Sequence, residues 1–334
     1  MDQIRTAAIT GTGSALPKRI ISNHDLEQIL DTSDSWIRER TGISQRHLSD
    51  GEAVADLASE AAEMALKDAG REANEIDLIL AATASADYIF PNLSCLIQAK
   101  IGAKNAACFD INVACTGFIT ALSTAWTYIR CGMAKKVLIV GAEAMSHLVN
   151  WKDRSTCILF GDGAGAVVLE AAEEGMEDVL LGADGAAGQS LTCRTRIASH
   201  PFCETKDAKQ EGEDCDCDLH MDGQAVYQFA VTTVPRIIRQ LLAQNQMEKE
   251  QVSCYLLHQA NERIIRSAAK RLGEPMEKFP MNVQQTGNLS AASVPVLMDQ
   301  CRRSGQLKKG DRIVLAGFGA GLTYGAALLT WMIE

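Results

Sequence analysis

The sequence predicts a layered α/β protein whose second half repeats the first. Three observations carry that prediction. Strand-like apolar runs alternate with helix-period segments, text from the first half returns in order in the second, and small aliphatic residues far outnumber aromatic ones. The first strand, 6–11, runs into the turn-rich GTGSALP. A helix follows at 52–70, with Ala53, Ala58, Ala61, Ala62, Ala65 and Ala69 leaving it slim enough to lie between two sheets. Strand 77–83, helix 92–101, strand 107–113 and helix 116–131 continue the alternation, and strands at 136–141 and 164–170 close the first half. The second half offers helix 222–244, strand 253–257, helices 260–272 and 291–304, and strand 312–317.

The repeat reads as two units, 1–172 and 173–334, the second carrying an insert-like loop at 193–220. FDINVACTG at 109–117 aligns with FPMNVQQTG at 279–287, an offset of 170 residues. CGMAKKVLIVGAEA (131–144) matches RSGQLKKGDRIVLAGFGA (303–320), FGDGAGAVVLE (160–170) resembles GFGAGLTYGAALL (317–329), and DLILAATA (77–84) parallels CYLLHQA (254–260). Halves related by a pseudo-twofold axis bring corresponding strand ends together between them.

Composition excludes several classes. A chain of 334 residues has room for a large core. A net charge of −10 argues against general nucleic-acid binding. No apolar run is long enough to cross a bilayer, and the start has no signal-peptide layout. Eleven scattered cysteines without framework spacing fit reduced thiols and a cytoplasmic setting.

Three side chains at strand edges suggest chemistry. Cys115 follows strand 107–113 and precedes a helix, where unpaired N–H groups and the helix dipole lower a thiol's pKa. A thiolate there suits acyl transfer from thioesters, with the Cys115 N–H available to an oxyanion and Gly117 permitting close backbone approach. His258 ends an apolar strand, and Asn288 follows Gly287 in a turn. Two neutral donors without a carboxylate base suit an enolate formed by loss of CO₂. The same residue set serves papain-like cysteine hydrolases and thioesterases, so that class stands as an alternative, as does a noncatalytic CoA-binding protein. The helix after His258 carries Arg263, Arg266, Lys270 and Arg271 as a basic stripe, suited to an acidic partner surface.

The segments DTSDSWIRERTGISQRH (31–47), DINVACTGF (110–118), DRSTCILFGDGAGAVVLE (153–170), HQANERII (258–265), GNLSAASVP (287–295) and GFGAGLTYGAALL (317–329) resemble the 3-oxoacyl-[acyl-carrier-protein] synthase III family. The resemblance implies a thiolase-like fold, layered α-β-α-β-α, with two mixed sheets around buried helices. It implies that acyl-CoA loads Cys115 and that malonyl-acyl-carrier-protein then decarboxylates, with His258 and Asn288 holding the enolate, to give 3-oxoacyl-carrier-protein, CoA and CO₂. Backbone N–H groups of Cys115 and Ala320 would form the oxyanion hole. Trp36, Arg40 and Arg154 would clamp CoA, Gly223, Asn261 and Phe318 would line the pantetheine tunnel, and Gln259 would join the basic stripe at the carrier surface. Met145, Phe160, Leu219 and a partner subunit's Phe90 would shape the acyl pocket, which makes the protein a homodimer. No cofactor or metal is implied; CoA and carrier thioesters are substrates. A related condensing enzyme of secondary metabolism, using another acceptor, fits the same residues.

The loop 193–220 departs from the family pattern. Its Cys193, Cys203, Cys215 and Cys217, with His200 and His220, lack the paired spacing of a zinc site, so a solvated polar loop is expected.

Overall fold

The computed structural model describes residues 6–195 and 217–334. Strand β1 (Thr6–Ala15) leads to a small pair, β2 (Ile20–Ser22) and β3 (Gln45–His47), which brackets helices α1 (Asn23–Leu26) and α2 (Asp34–Thr41). Helix α3 (Val54–Ala69), β4 (Leu78–Ala82), α4 (Leu93–Ile101), β5 (Ala107–Ile111), α5 (Gly117–Arg130), β6 (Lys136–Ala144) and β7 (Asp162–Ala172) complete the first half. Then come β8 (Met176–Ala183), the short β9 (Leu191–Cys193) and β10 (Leu219–Met221), and α6 (Gly223–Gln244). The chain ends with β11 (Cys254–Leu257), α7 (Glu262–Leu272), α8 (Val283–Thr286), α9 (Ser293–Arg303), β12 (Arg312–Gly319) and β13 (Thr323–Thr330).

The first sheet has strand order β1-β7-β6-β4-β5 and the second has β8-β13-β12-β11. In each, the two outer pairings on one side are antiparallel and the next is parallel, so the order and sense of four strands repeat. The segment that would supply a fifth strand to the second sheet forms helix α8 instead. Strands β8 and β13 extend the sequence reading; β13 is buried along most of its length and shows no alternation.

The repeat register differs from the one the text suggests. Leu78 pairs with Val137 and Cys254 with Ile313, so the halves map by 176 residues (78 to 254, 137 to 313). The same shift carries the short 3-10 turn Ala114–Thr116 onto Ser290–Ala292 and the start of α5 onto that of α9. Cys115 therefore corresponds to Ala291 rather than to Gln285. The literal match of N-V-x-x-T-G pairs a turn with the last turn of α8, and a shared turn vocabulary is no guarantee of shared position.

The buried layer between the sheets is α5 with α9. Phe118, Ile119, Leu122 and Ile129 of α5 and Val294, Leu297 and Met298 of α9 pack with Leu80, Ile139, Leu256 and Leu315 from both sheets. Each such side chain contributes about 1.5–3 kcal/mol relative to exposure, which pins the ends of these helices in place. The alanine-rich α3 is not in that layer, contrary to expectation. It covers the outer face of the first sheet with α4, while α6 and α7 cover the outer face of the second. Its small residues answer Gly11 and Gly13 of β1, where an added Cβ would lie 2.4 Å from the Ala65 carbonyl and 2.2 Å from that of Ala61. Helix and sheet touch backbone to backbone there.

Candidate active site

Cys115 sits in the turn before α5 and is almost wholly buried. The preceding Ala114 holds φ at +43°, a left-handed conformation that costs a non-glycine residue roughly 1–2 kcal/mol and tips the thiol toward the opposite half. There β12 ends against it: a Cβ on Gly319 would lie 2.8 Å from Cys115 Cβ and 3.0 Å from its nitrogen. Glycine is needed for that approach. The thiol donates a long hydrogen bond to Ser290 Oγ at 3.6 Å. Burial pushes its pKa up to about 12, against a smaller lowering by Ser290, so the low-pKa expectation is reversed. At this buried position the loss of water outweighs the helix terminus, and Cys115 rests as a thiol.

His258 follows β11, its backbone N–H donating to the Ala316 carbonyl at 2.8 Å. Its ring meets Phe318 edge-on at 5.3 Å, and Nδ1 has no hydrogen-bond partner among the described residues. Burial lowers its pKa to about 3, so the imidazole is neutral at physiological pH. Asn288 is locked on both sides of its backbone: its N–H donates to the Leu159 carbonyl at 2.8 Å, and its carbonyl accepts from Gly161 N–H at 3.1 Å. Its side-chain Oδ1 accepts from Ser290 N–H at 2.8 Å, which orients the amide and leaves the NH₂ group as donor. Gly287, at φ +68°, makes the turn before it.

A cavity of about 920 Å³ joins these groups to the surface. Cys115, His258, Asn288 and Ser290 line its inner end, with Ala320 and Phe318 beside them. Met145, Phe160 and Leu219 form apolar wall, and Gly223 and Asn261 line the passage outward. Gly223 has no neighbour nearer than 3.8 Å to an added Cβ, so its glycine leaves open space rather than relieving a clash. Asn261 also caps α7, accepting from Arg263 N–H at 2.8 Å, and donates to the Arg40 carbonyl at 3.0 Å. At the mouth the guanidiniums of Arg40 and Arg154 lie 4.9 and 5.2 Å from the centre of the Trp36 ring. Arg154 is not itself in the cavity wall; it is tied to Asp31.

Other predicted positions fall outside. Phe90 is 83% exposed and away from the cavity, although its neighbour Ile89 lines the wall. Arg263 reaches the wall and lies over Tyr227, while Arg266, Lys270 and Arg271 are exposed farther along α7. Gln259 is a correction: it is buried, its Nε2 donates to the Leu257 carbonyl at 2.8 Å, and its Oε1 accepts from Asn282 N–H at 3.1 Å. It braces the loop before α8 and cannot meet a docked protein. Of the proposed loop ligands, Cys203, Cys215 and His200 lie outside the described residues, and among the described residues no cluster suits a metal ion. The sequence reading missed Ser290 and Glu143. A lone acid inside the apolar strand VLIVGAEA was a usable signal for the second.

Family models for 3-oxoacyl-[acyl-carrier-protein] synthase III match residues 109–185 and, for its C-terminal part, 242–331. The chain is 43% identical over 329 residues to a beta-ketoacyl-[acyl-carrier-protein] synthase III of Clostridium acetobutylicum, covering 98% of this chain and 99% of that one. It belongs to the synthase III family. A Clostridium perfringens synthase III is 45% identical over 328 residues, again at 98% and 99% coverage. The crystal structure of the synthase III from Aquifex aeolicus superposes with a TM-score of 0.90 at 40% identity, covering 97% of this chain and all of that one. The priming beta-ketosynthase of the R1128 polyketide pathway reaches the same TM-score at 35% identity, covering 98% and 97%. This synthase III therefore has the thiolase-like fold and is an acyltransferase, a condensing enzyme that initiates fatty-acid synthesis.

Proposed function

We propose that Cys115 accepts the acyl group of an acyl-CoA starter and that His258 and Asn288 hold the enolate oxygen formed when malonyl-acyl-carrier-protein loses CO₂. The enolate carbon then attacks the acyl-cysteine carbonyl, whose oxygen is met by the N–H groups of Cys115 and Ala320, and 3-oxoacyl-carrier-protein leaves. The observation that carries this reading is the pairing of a buried neutral imidazole with an amide whose NH₂ alone is left to donate, both lining the cavity that Cys115 closes. A base would be superfluous, because decarboxylation itself supplies the carbanion. The scheme uses no cofactor.

Trp36, Arg40 and Arg154 would hold CoA at the mouth, and its pantetheine arm would pass Gly223 and Asn261. Arg263, Arg266, Lys270 and Arg271 would receive the acidic carrier. Met145, Phe160 and Leu219, completed by a partner subunit's Phe90, would shape the starter pocket of a homodimer; the exposed apolar run Tyr88, Ile89 and Phe90 supports burial in such an interface. The halves 1–172 and 173–334 would be the two structural units, working in the cytoplasm. Cys95, Cys108, Cys115, Cys131, Cys157, Cys193, Cys254 and Cys301 are free thiols, and among the described residues no helix is long and apolar enough to cross a membrane.

Radiolabelled acyl-CoA tests the scheme. Label should appear on Cys115 and pass to 3-oxoacyl product when malonyl-carrier-protein is added, and Cys115→Ser should cut loading by on the order of 10³-fold or more. Release of free acid instead of condensed product would make the protein a hydrolase.

A further inference from the structure

The loading step leaves a proton unassigned. Cys115 rests as a thiol, and its sulfur must shed that proton as it attacks a thioester. The side chain it touches is Ser290, at 3.6 Å. Ser290 is buried, and behind it stands Glu143, a fully buried acid at the end of β6 that the condensation scheme does not use. The Ser290 hydroxyl lowers the acid's pKa against its burial, and the Glu143 carboxylate draws the N–H of Ala291, the residue next to Ser290, at 3.5 Å. Its other oxygen accepts from Ser85 Oγ at 2.5 Å, Ala84 N–H at 3.0 Å and Thr83 Oγ1 at 3.3 Å. These partners are hydroxyls and backbone N–H groups rather than a cation. An ionised acid buried without partners would cost several kcal/mol, and here hydroxyl and N–H donors answer it.

We propose that Ser290 and Glu143 form a proton relay for Cys115, storing the thiol proton while the sulfur carries an acyl group. The proposal rests on the acyl-cysteine reading above. In loading, the Cys115 proton passes to Ser290 Oγ as the Ser290 proton passes to the Glu143 carboxylate. The sulfur electron pair forms the new C–S bond, the C–S bond to CoA breaks, and CoA leaves as a thiolate that takes a proton from water. In condensation, the enolate carbon attacks the acyl carbon, the C–S bond to Cys115 breaks, and the departing thiolate recovers its proton from Glu143 through Ser290. Glu143 ends each cycle ionised, as it began, and one proton has been drawn from water.

The surroundings support a proton-accepting carboxylate. Burial raises the Glu143 pKa from its ordinary value, which makes it a stronger base than an exposed glutamate. The groups facing it are the hydroxyls of Thr83, Ser85 and Ser290, the N–H of Ala84 and Ala291, and the Cys115 thiol. Of these the thiol is the one that titrates, and burial, with a smaller contribution from the carboxylate's charge, raises its pKa, so the proton stays on sulfur until acyl-CoA is in place.

Glu143→Gln keeps the size of the side chain but cannot take a proton, and its NH₂ replaces one of the two accepting oxygens. Ser290→Ala breaks the relay, and alanine is compatible with that backbone: Ser290 has φ +47°, and its repeat partner Ala114 holds φ +43°. The assay is single-turnover loading of labelled acetyl-CoA onto Cys115, with starter-free CO₂ release from malonyl-carrier-protein measured alongside. With the relay, wild-type loading is nearly flat between about pH 7 and 9, because the proton moves within the protein; each variant loads about 10²-fold more slowly and gains about tenfold per pH unit, since solvent must remove the proton. CO₂ release stays near wild type, and Glu143→Asp recovers part of the loading rate. Variants that load at the wild-type rate, or with the wild-type pH profile, overturn the relay and leave the acyl-cysteine reading standing. A wild-type enzyme that takes no label on Cys115 overturns that reading itself. If Glu143→Gln does not fold, Ser290→Ala decides alone.

Discussion

The turn at 112–116 and the turn at 288–292 share a backbone and differ in what they carry. Both start with an asparagine, both force a non-glycine residue to positive φ, at Ala114 and Ser290, and both open a central helix. The first presents Cys115 to Gly319; the second presents Ala291 to Glu143, the residue that the 176-residue shift makes equivalent to Gly319. His258 in one half corresponds to Ala82 in the other. Duplication thus made two places where a strand end meets a strained turn. One opens on the cavity that Cys115 lines, and in the other a carboxylate occupies the space.

The largest effect should separate the two asparagines. Asn288→Ala should slow CO₂ release from malonyl-carrier-protein by about 10²–10³-fold, the usual cost of one oxyanion donor, and leave labelling of Cys115 near wild type. Asn112→Ala should change CO₂ release little, although Asn112 also lines the cavity. Equal losses would mean that Asn112 holds the enolate as well. A smaller effect should follow at the strand ends. Gly319→Ala drives a methyl into the backbone of Cys115 and should cost about 1–3 kcal/mol, read as a lower Tm together with slower loading. Gly223→Ala, with no neighbour nearer than 3.8 Å, should keep the wild-type Tm. An unchanged Tm in Gly319→Ala would remove the claim that close backbone approach sets the site.

The smallest effect should lie on the outer helices. Helix α7 presents Arg266, Lys270 and Arg271, with Arg266 paired with Glu262 at 2.6 Å, and α4 presents Lys100 paired with Asp56 at 2.7 Å. Reversing Arg266 and Lys270 to glutamate should raise KM for malonyl-carrier-protein by about 3–10-fold, fade with added salt, and spare acyl-CoA loading. Arg263 is a poorer choice, since it also lines the cavity. Equal losses in both half-reactions would discard α7 as the docking face.

Much of this was legible in the residues. Strand and helix runs follow from periodicity, and Cys115, His258 and Asn288 announce themselves by sitting where apolar runs stop at small or turn residues. Other features were not. The sandwiched helices could not be told from α3, because a slim alanine face serves close packing on a glycine-bearing strand as well as burial between sheets. The register of the repeat was misread by six residues, since turn residues recur by local chemistry whatever their place in a sheet. Gln259 looked like part of a surface stripe because spacing along a chain does not say which side of a helix start is inside.

By itself the sequence determined the alternation of strands and helices, the duplication and the three candidate side chains, because periodicity, repetition and residue chemistry are local properties. Tertiary structure alone decided that Cys115 is a protonated thiol, that His258 is neutral and that Ser290 and Glu143 stand behind the sulfur. Protonation depends on how much water and charge surround a group, and those neighbours come from strands and turns far apart in the chain.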